Sequence, residues 1–323
     1  MSIDISSLYW KILTVFDILG CLLNAILLYL AFFKTPSNLR IYKILIINFA
    51  FTDFFAAALN FFVQQRIIPI LYTIGYVSHG ACRYFGSFVC FFSHSVMSHL
   101  IVHSNYSLLF AFAYRYYILI RPEPTRRQVI IALLVVYSPS LFLLIAYQFA
   151  RGEPANIIRI IQENAPEYNL KGQMITGVED IRSIAAQSKI FQLTVMAVPV
   201  FIGILVFRRL IIKKLVIPQY SISVSTKVLH SQLLMALTYQ AFIPVILFVS
   251  VAMYVLEQFG IYRSELMENY IMTGLVLIPV FGPISYFIFL TPYRKFLFRT
   301  KRTISDRDTS ISRSVQTAKF VKA

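Results

Sequence analysis

The stretch Ile44–Val63, ILIINFAFTDFFAAALNFFV, has the length and composition of a membrane-spanning helix. It runs for 20 residues with Asp53 as its single formally charged side chain. An α-helix needs about 20 mostly apolar residues to cross the hydrocarbon core of a bilayer. We therefore expect a transmembrane helix here, and an ionisable group inside such a helix is a functional hypothesis by default.

The composition of the whole chain agrees with a membrane protein. Of its 323 residues, 58% are hydrophobic and 14% are charged, whereas soluble domains carry about 25% charged residues. The 29 Phe and 20 Tyr residues exceed what a soluble domain of this length could bury. The excess of apolar residues therefore excludes a soluble enzyme. A disordered protein is also excluded, because a disordered chain would be polar and poor in aromatics.

Six further apolar stretches have the same character, and Asp17 adds the only other formal charge within them. Strict alternation of polar and apolar residues is absent, so closed helices are the expected spanning structures. The fold class is thus predicted as an all-α membrane protein, a bundle of seven transmembrane helices. The other six predicted spans are Ile12–Phe33, Tyr84–Tyr114, Val129–Phe149, Ile190–Phe207, Val228–Leu256 and Asn269–Leu290.

The basic residues are concentrated in the connections on one side of the predicted bundle. Four segments hold 21 of the 30 Lys and Arg residues, namely Lys34–Lys43, Arg115–Gln128, Arg208–Lys227 and Thr291–Ala323. Cytoplasmic loops of membrane proteins carry such an excess. The N-terminus is therefore predicted outside and the C-terminus inside, and the net charge of +16 indicates a lipid bilayer rather than nucleic acid as the partner.

Three polar residues, Asn24, Asp53 and Ser104, fall at mid-depth in the first three predicted helices. They are expected to converge in the interior of the bundle. Two interpretations remain open: hydrogen-bonding glue between helices, or a hydrated polar switch site able to bind a cation.

The third predicted helix carries His94, His99 and His103. The last two lie four residues apart and share a helix face. Two ligands from one helix do not complete a metal site, so we assign these histidines to packing or to the polarity of a ligand pocket. Since no catalytic motif such as GxSxG or HExxH and no P-loop is present, neither an enzyme nor a cofactor is expected.

Several short motifs together resemble the rhodopsin-like G-protein-coupled receptors, and they cover nearly the whole chain. They are Asn24 with the basic turn 34–40, Asn48–Asp53, Tyr114-Arg115-Tyr116 where those receptors have Asp-Arg-Tyr, Phe242-Ile243-Pro244, Gly282-Pro283-Ile284-Ser285-Tyr286, and Thr291–Leu297. The segments 42–50, 114–117 and 290–294 are most similar to the nematode serpentine chemoreceptors of class delta (Srd).

This resemblance implies a chemosensory receptor that binds a small extracellular chemical and activates a heterotrimeric G protein. It implies residues 1–298 as the receptor domain, ending in a short amphipathic eighth helix, and residues 299–323 as a disordered basic cytoplasmic tail. The implied location is the plasma membrane, in the cilium of a sensory neuron.

The resemblance also assigns roles to individual residues. The implied ligand pocket lies in the outer half of an interhelical cavity, and Phe242 is implied as a toggle. The kinks at Pro244 and Pro283 are implied as hinges. The residues implied at the G protein are Tyr114, Arg115, Tyr116 and Tyr286. By position we place His94, Met97, Ser98, Tyr239 and Phe242 near the ligand, and core packing stays open as the alternative for each of them.

The chain departs from the receptor pattern in two places. The outer connection 150–189 contains no cysteine, so Cys82 is the only outer candidate to pair with Cys90. Tyr114 replaces the acid beside Arg115, which makes an arginine–carboxylate lock doubtful. For Arg115 an alternative stays open, in which its head group reaches water as an interfacial anchor.

Two other functions compete with that of a receptor. A ligand-gated channel of the insect odorant-receptor kind has its N-terminus inside, contrary to the charge distribution found here. A transporter would show repeated halves with helices interrupted at matching positions, and neither is evident in this sequence.

Overall fold

In the computed structural model, which describes residues 5–36, 39–216 and 224–298, long apolar helices form the bulk of the chain. The predicted tail, residues 299–323, lies outside the described residues. The helices are α1 Ile5–Phe33, α2 Tyr42–Val63, α3 Ser87–Ile120, α4 Arg126–Gln148, α5 Pro154–Asn164, α6 Ile184–Ile190, α7 Ala197–Val216, α8 Val224–Gln240, α9 Ile243–Gln258, α10 Glu265–Phe289 and α11 Thr291–Leu297.

Seven crossings of a membrane can be traced through these helices. Six are long and apolar enough by themselves, and the seventh is α10, whose two halves are bent by 43°. The fifth crossing joins α6 to α7 through a π-helical turn, and the sixth contains α8 and α9. The predicted seven-helix bundle is confirmed.

Large apolar side chains cover the outside of the bundle. On α4, for example, Leu134, Val135 and Phe142 are each more than 60% exposed. Contact with lipid tails is favourable for such an apolar surface, whereas contact with water is unfavourable.

Prolines mark the irregularities of the sixth and seventh crossings. Pro244 is the second residue of α9, just after the break that separates α9 from α8, a position where the missing N–H costs nothing. In α10 the bend lies between Met272 and Leu277. Pro279 cannot bond to the carbonyl four residues before it, which lies in that interval. The bend is thus closer to Pro279 than to the predicted hinge, Pro283.

A three-stranded antiparallel sheet covers one end of the bundle, and nothing in the sequence pattern indicated it. It is built from β1 Gln65–Ile70, β2 Thr73–Ser78 and β3 Met174–Val178, in the order β1-β2-β3. The end that carries this sheet is called the outer end below, following the charge-based prediction of topology. The description all-α must therefore be extended by this sheet.

The helix α5 lies on the sheet with its apolar side. Ile157 and Ile161 are fully buried there, and a Cβ atom at Gly75 would come within 2.6 Å of Ile161 Cδ1. A side chain at this position of β2 would push α5 away, so glycine permits the close contact. The sheet and α5 together form a cover over the helices.

Candidate functional site

A cavity lies directly under the sheet, between the outer ends of the helices. Its empty volume is about 760 Å³, a figure that includes space open to solvent. Strands supply part of its wall through Ile67, Ile74, Tyr76 and Val178. The helical wall consists of His94, Ser98, Tyr147, Ala186, Lys189, Ile190, Leu193, Thr194, Leu247, Ser250, Val251, Tyr254, Ile271 and Met272.

Lys189 is the most unusual residue of this outer cavity. By sequence it is the last residue of a predicted outer connection, yet it belongs to α6 and is only 7% exposed. Its Nζ lies 2.7 Å from His94 Nε2 and 3.9 Å from the centroid of the Tyr147 ring. In its ammonium form Lys189 can only donate, and His94 Nε2 then accepts as part of a neutral imidazole.

The sheet contributes a second polar group, Tyr76, to the same cavity. Its hydroxyl lies 2.6 Å from that of Tyr147, and its ring centroid is 4.4 Å from that of His94. Burial raises the pKa of Tyr76 to about 12, although the hydrogen bond with Tyr147 opposes the shift. The phenol therefore stays neutral. The sequence analysis did not predict Tyr76, Tyr147 or Lys189 as pocket residues. The only signal in the sequence was the position of Lys189 at the start of an apolar run.

The residues predicted for the ligand pocket are divided by the structure. His94 and Ser98 line the outer cavity, whereas Met97 is buried in the core beside it. Tyr239 packs its ring against Phe289, with centroids 6.3 Å apart, near the opposite end of α10. Phe242 is 69% exposed on the outside of the bundle. Tyr239 and Phe242 are thus misplaced as pocket residues, and Phe242 cannot act as an interior toggle in this conformation. The break at Pro244 turns it outward.

The three mid-depth polar residues come together around a second, smaller cavity that Asn24, Asp53 and Ser104 all line. Ser104 Oγ donates to Asp53 Oδ1 at 3.1 Å. Asn24 Nδ2 donates to the carbonyl oxygens of Gly20 and Pro279, at 2.8 Å each. These bonds connect α2 to α3 and α1 to α10, and residues of all four helices line this cavity.

Other polar residues of the third helix bond to its neighbours. His103 Nε2 lies 3.1 Å from Asn48 Oδ1 on α2, and His99 Nε2 lies 2.8 Å from the Tyr137 hydroxyl on α4. Both histidines thus serve in contacts between helices. Asp17 forms a separate pair, accepting from Asn60 Nδ2 at 2.9 Å.

At the inner end, Arg115 is buried against an aromatic ring. It is 3% exposed, and its guanidinium carbon lies 3.9 Å from the centroid of the Tyr42 ring. The alternative in which its head group reaches water is therefore wrong in this conformation. The hydroxyl of Tyr114 donates to Glu123 Oε1 at 3.1 Å, so the tyrosine that replaces the usual acid bonds to an acid nine residues on.

The other two residues implied at the G protein lie nearby in different settings. Tyr286 is fully buried and lines the mid-depth cavity. Tyr116 packs against Phe207 on α7, with ring centroids 5.9 Å apart. The contribution of Tyr42 was missed, because nothing in the sequence pairs the first residue of α2 with the end of α3.

Cys82 and Cys90 are joined by a disulfide, with their Cα atoms 5.1 Å apart. The bond links the 3-10 turn Ala81–Tyr84 to the first turn of α3. It does not fasten the long connection 150–189. That connection is instead held by β3, which pairs with β2 from Ile74↔Val178 to Ser78↔Met174.

Comparisons with known proteins agree with this architecture. The family described as "Serpentine type 7TM GPCR chemoreceptor Srd" matches residues 8–299. Serpentine receptor class delta-18 of Caenorhabditis elegans is 38% identical over 282 residues, covering 86% of this chain and 84% of the relative. Serpentine receptor class delta-19 of the same organism is 36% identical over 291 residues, covering 89% and 85%.

Among solved structures, squid rhodopsin superposes with a TM-score of 0.62 at 14% sequence identity. The match covers 91% of this chain and 80% of squid rhodopsin, and it establishes the fold alone. The family match covers most of the chain, and its members are receptors rather than enzymes. The chain therefore belongs to the Srd family of serpentine seven-transmembrane chemoreceptors.

Proposed function

We propose that this receptor binds a small extracellular chemical in the outer cavity and activates a heterotrimeric G protein at its inner end. The observation that carries the proposal is the cavity itself, which lies between the sheet and the helices and has a mostly apolar lining. A few polar groups converge there, as in sites for small ligands. The proposal includes an N-terminus outside, a C-terminus inside, an eighth helix along the membrane, and a place in the plasma membrane of a sensory cilium.

Coupling between the two ends would be a shift between two arrangements of the bundle. Two irregular crossings are suited to absorb the change, the break before Pro244 and the bend that precedes Pro279. The inner end would then release Arg115 from Tyr42, so that its guanidinium can bond to the G protein. The ligand must therefore bind more tightly to the open arrangement than to the one described here.

The ligand site is tested by filling the cavity with a bulky side chain. A chemical panel is first screened on cells that express the full chain, with calcium or cyclic-nucleotide signals as the readout. Thr194 lines the cavity, so Thr194→Trp should abolish the responses found at matched surface expression. Val198, one turn further along the same crossing, is exposed, and Val198→Trp is the control. Unchanged responses in Thr194→Trp would remove the ligand from this cavity.

The topology is tested separately with epitope tags at the two ends. We expect the N-terminal tag to be stained on intact cells and the C-terminal tag only after permeabilisation. The reverse pattern at the plasma membrane contradicts the receptor proposal, because the sheet and its cavity would then face the cytoplasm.

A further inference from the structure

The outer cavity contains a buried lysine amine but no carboxylate among its described lining residues. Lys189 is the only Lys, Arg, Asp or Glu residue of that described lining. Among the residues that the structure describes, its Nζ has one hydrogen-bond partner, the neutral nitrogen His94 Nε2. No ion pair involving Lys189 is found in the described part of the chain.

A buried ammonium in this position is only partly stabilised. The Tyr147 ring, at 3.9 Å, supplies a cation–π contact, which is favourable but weaker than the hydration that burial removes. His94 occupies one of the three N–H donors of Lys189. A carboxylate placed beside this amine would stabilise its ammonium form and would use donor capacity that the described residues leave open.

Two hydroxyl groups of the same lining also have no partner among the described residues. They are the Tyr254 hydroxyl and Ser250 Oγ, both buried. Buried polar groups without a partner are costly, and a hydroxyl can donate to an anionic oxygen. Lys189, Tyr254 and Ser250 thus all offer donors to the same cavity.

The rest of the cavity lining indicates the chemistry of the ligand beyond its anionic group. It is aliphatic, with residues such as Ile67, Leu193, Leu247 and Ile271 from both the sheet and the helices. A hydrocarbon body would gain stability from burial there. A single cation matches one negative charge, whereas a dianion would leave one charge buried and unpaired.

We propose that the outer cavity selects small amphiphilic carboxylates, with the carboxylate paired to Lys189 and the hydrocarbon body against the aliphatic wall. The inference rests on the proposed function, since it names the ligand class of the same cavity. Lys189 is its specificity-determining residue, and the hydroxyls of Tyr254 and Ser250 add donors for the second carboxylate oxygen.

The unmodified receptor provides the first test. The purified full chain is melted in nanodiscs with hexanoate, octanoate and decanoate, each beside its methyl ester, and with octanol and octylamine. We expect at least one acid to stabilise the receptor at a concentration about tenfold or more below its ester, as a lost charged hydrogen bond implies. If no acid in the series outperforms its ester, or if octylamine binds best, the inference is wrong.

A matched pair of variants then assigns the effect to Lys189. Lys189→Met keeps the length of the side chain and removes the charge. Lys171→Met changes an exposed lysine of the same outer connection and is the control. The apparent affinity for the preferred acid should fall about tenfold or more in Lys189→Met and stay unchanged in Lys171→Met. An acid that binds Lys189→Met as tightly as the unmodified chain overturns the assignment.

Charge reversal adds a result that loss of folding cannot imitate. Lys189→Glu should bind octylamine better than octanoate, and the opposite preference contradicts the inference. If neither variant reaches the membrane, the comparison of acids with esters in the unmodified receptor still decides. These binding measurements do not need a G protein. If neutral compounds activate receptors that lack Lys189, the proposed ligand class is wrong and the receptor function stands. If acids bind but do not stimulate nucleotide exchange, the proposed receptor function is wrong and the ligand class stands.

Discussion

Two buried basic side chains, Lys189 at the outer end and Arg115 at the inner end, have the same relation to a tyrosine ring. Lys189 Nζ lies 3.9 Å from the centroid of the Tyr147 ring, and the guanidinium carbon of Arg115 lies 3.9 Å from that of the Tyr42 ring. Their surroundings differ. Lys189 lines an apolar cavity, whereas the rings next to Arg115 belong to the packed core of the inner half.

The difference shows that a cation–π contact alone does not make a binding site. In both places the ring compensates part of the cost of burying a charge. At the outer end an apolar cavity lies beside the amine. At the inner end the rings are closely packed around the guanidinium. Under the proposed function, binding at the outer end would therefore need less structural change than G-protein contact at the inner end.

The largest expected effect comes from Arg115→Lys, which makes the inner cation chemically equal to the outer one. We expect agonist-stimulated nucleotide exchange to fall about thirtyfold or more at near-normal surface levels. The planar guanidinium fork is lost while the charge remains. Nucleotide binding to a purified G protein is the measurement, and Arg121→Lys, at an exposed site just after α3, is the control. Full exchange in Arg115→Lys means that charge alone suffices there.

The next effect is expected from Gly177→Ala, which disturbs the cover of the outer cavity alone. A Cβ atom at Gly177 would lie 2.0 Å from the carbonyl oxygen of Ile74, so the pairing of β2 with β3 must open. We expect a loss of about 1–3 kcal/mol in stability and roughly a tenfold loss in agonist potency, with basal exchange unchanged. Thermal melting measures the loss in stability, and dose–response curves measure the loss in agonist potency.

A matched control for this change is Gly172→Ala. Gly172 has a φ of 72°, and a Cβ atom added there would have no atom within 4 Å, so Ala adds backbone strain of about 1 kcal/mol without a collision. Equal effects at both glycines would show that the sheet is not needed as a cover.

A smaller effect is expected from Asp53→Asn, midway between the two cations. Asparagine keeps one acceptor for Ser104 Oγ but replaces the charge, and residues between coupled sites typically alter coupling by about 0.5–2 kcal/mol. We expect intact surface expression and a shift of about threefold in agonist response. Asp17→Asn is the control, because Asp17 pairs with Asn60 and does not line the mid-depth cavity. Identical responses in both variants would make Asp53 purely architectural.

The smallest effect is expected from Tyr42→Phe. The substitution retains the ring over which Arg115 lies, so basal and stimulated exchange should stay within about twofold. Tyr42→Leu removes the ring and should raise basal exchange more than Tyr42→Phe does. If the two variants behave alike, the Tyr42 ring does not hold Arg115 in place. The Arg115–Tyr42 contact would then resemble the Lys189–Tyr147 contact in geometry without contributing to stability.

The sequence predicted the crossings well because a bilayer demands long apolar segments. The third crossing shows where hydropathy alone fails. It was predicted as Tyr84–Tyr114 and is observed as Ser87–Ile120. The predicted span ends before Arg115 because a charge usually marks the membrane boundary. The helix itself continues past Arg115, which packs on the Tyr42 ring. It ends before Arg121, the residue that precedes Pro122, because a residue before proline disfavours helical geometry.

The outer sheet escaped prediction for a related reason. All six residues of β2 are buried, since the sheet lies between α5 on one side and the bundle on the other. A strand buried on both faces has no alternation of polar and apolar residues. Its hairpin also lacks an Asn-Gly or Asp-Gly signal, and Pro69 lies inside β1, which argues against a strand.

The sequence by itself determined the number of crossings and the excess of positive charge on one side, and it supplied the motifs that resemble a receptor. These properties depend on composition and order along the chain, which the solvent preference of each segment fixes. The tertiary structure decided which polar residues meet. It placed Lys189 beside His94 and Tyr147, closed β2 and β3 over them, and turned Phe242 outward. Such encounters join residues far apart in the chain, and only the packing of one helix or strand against another determines them.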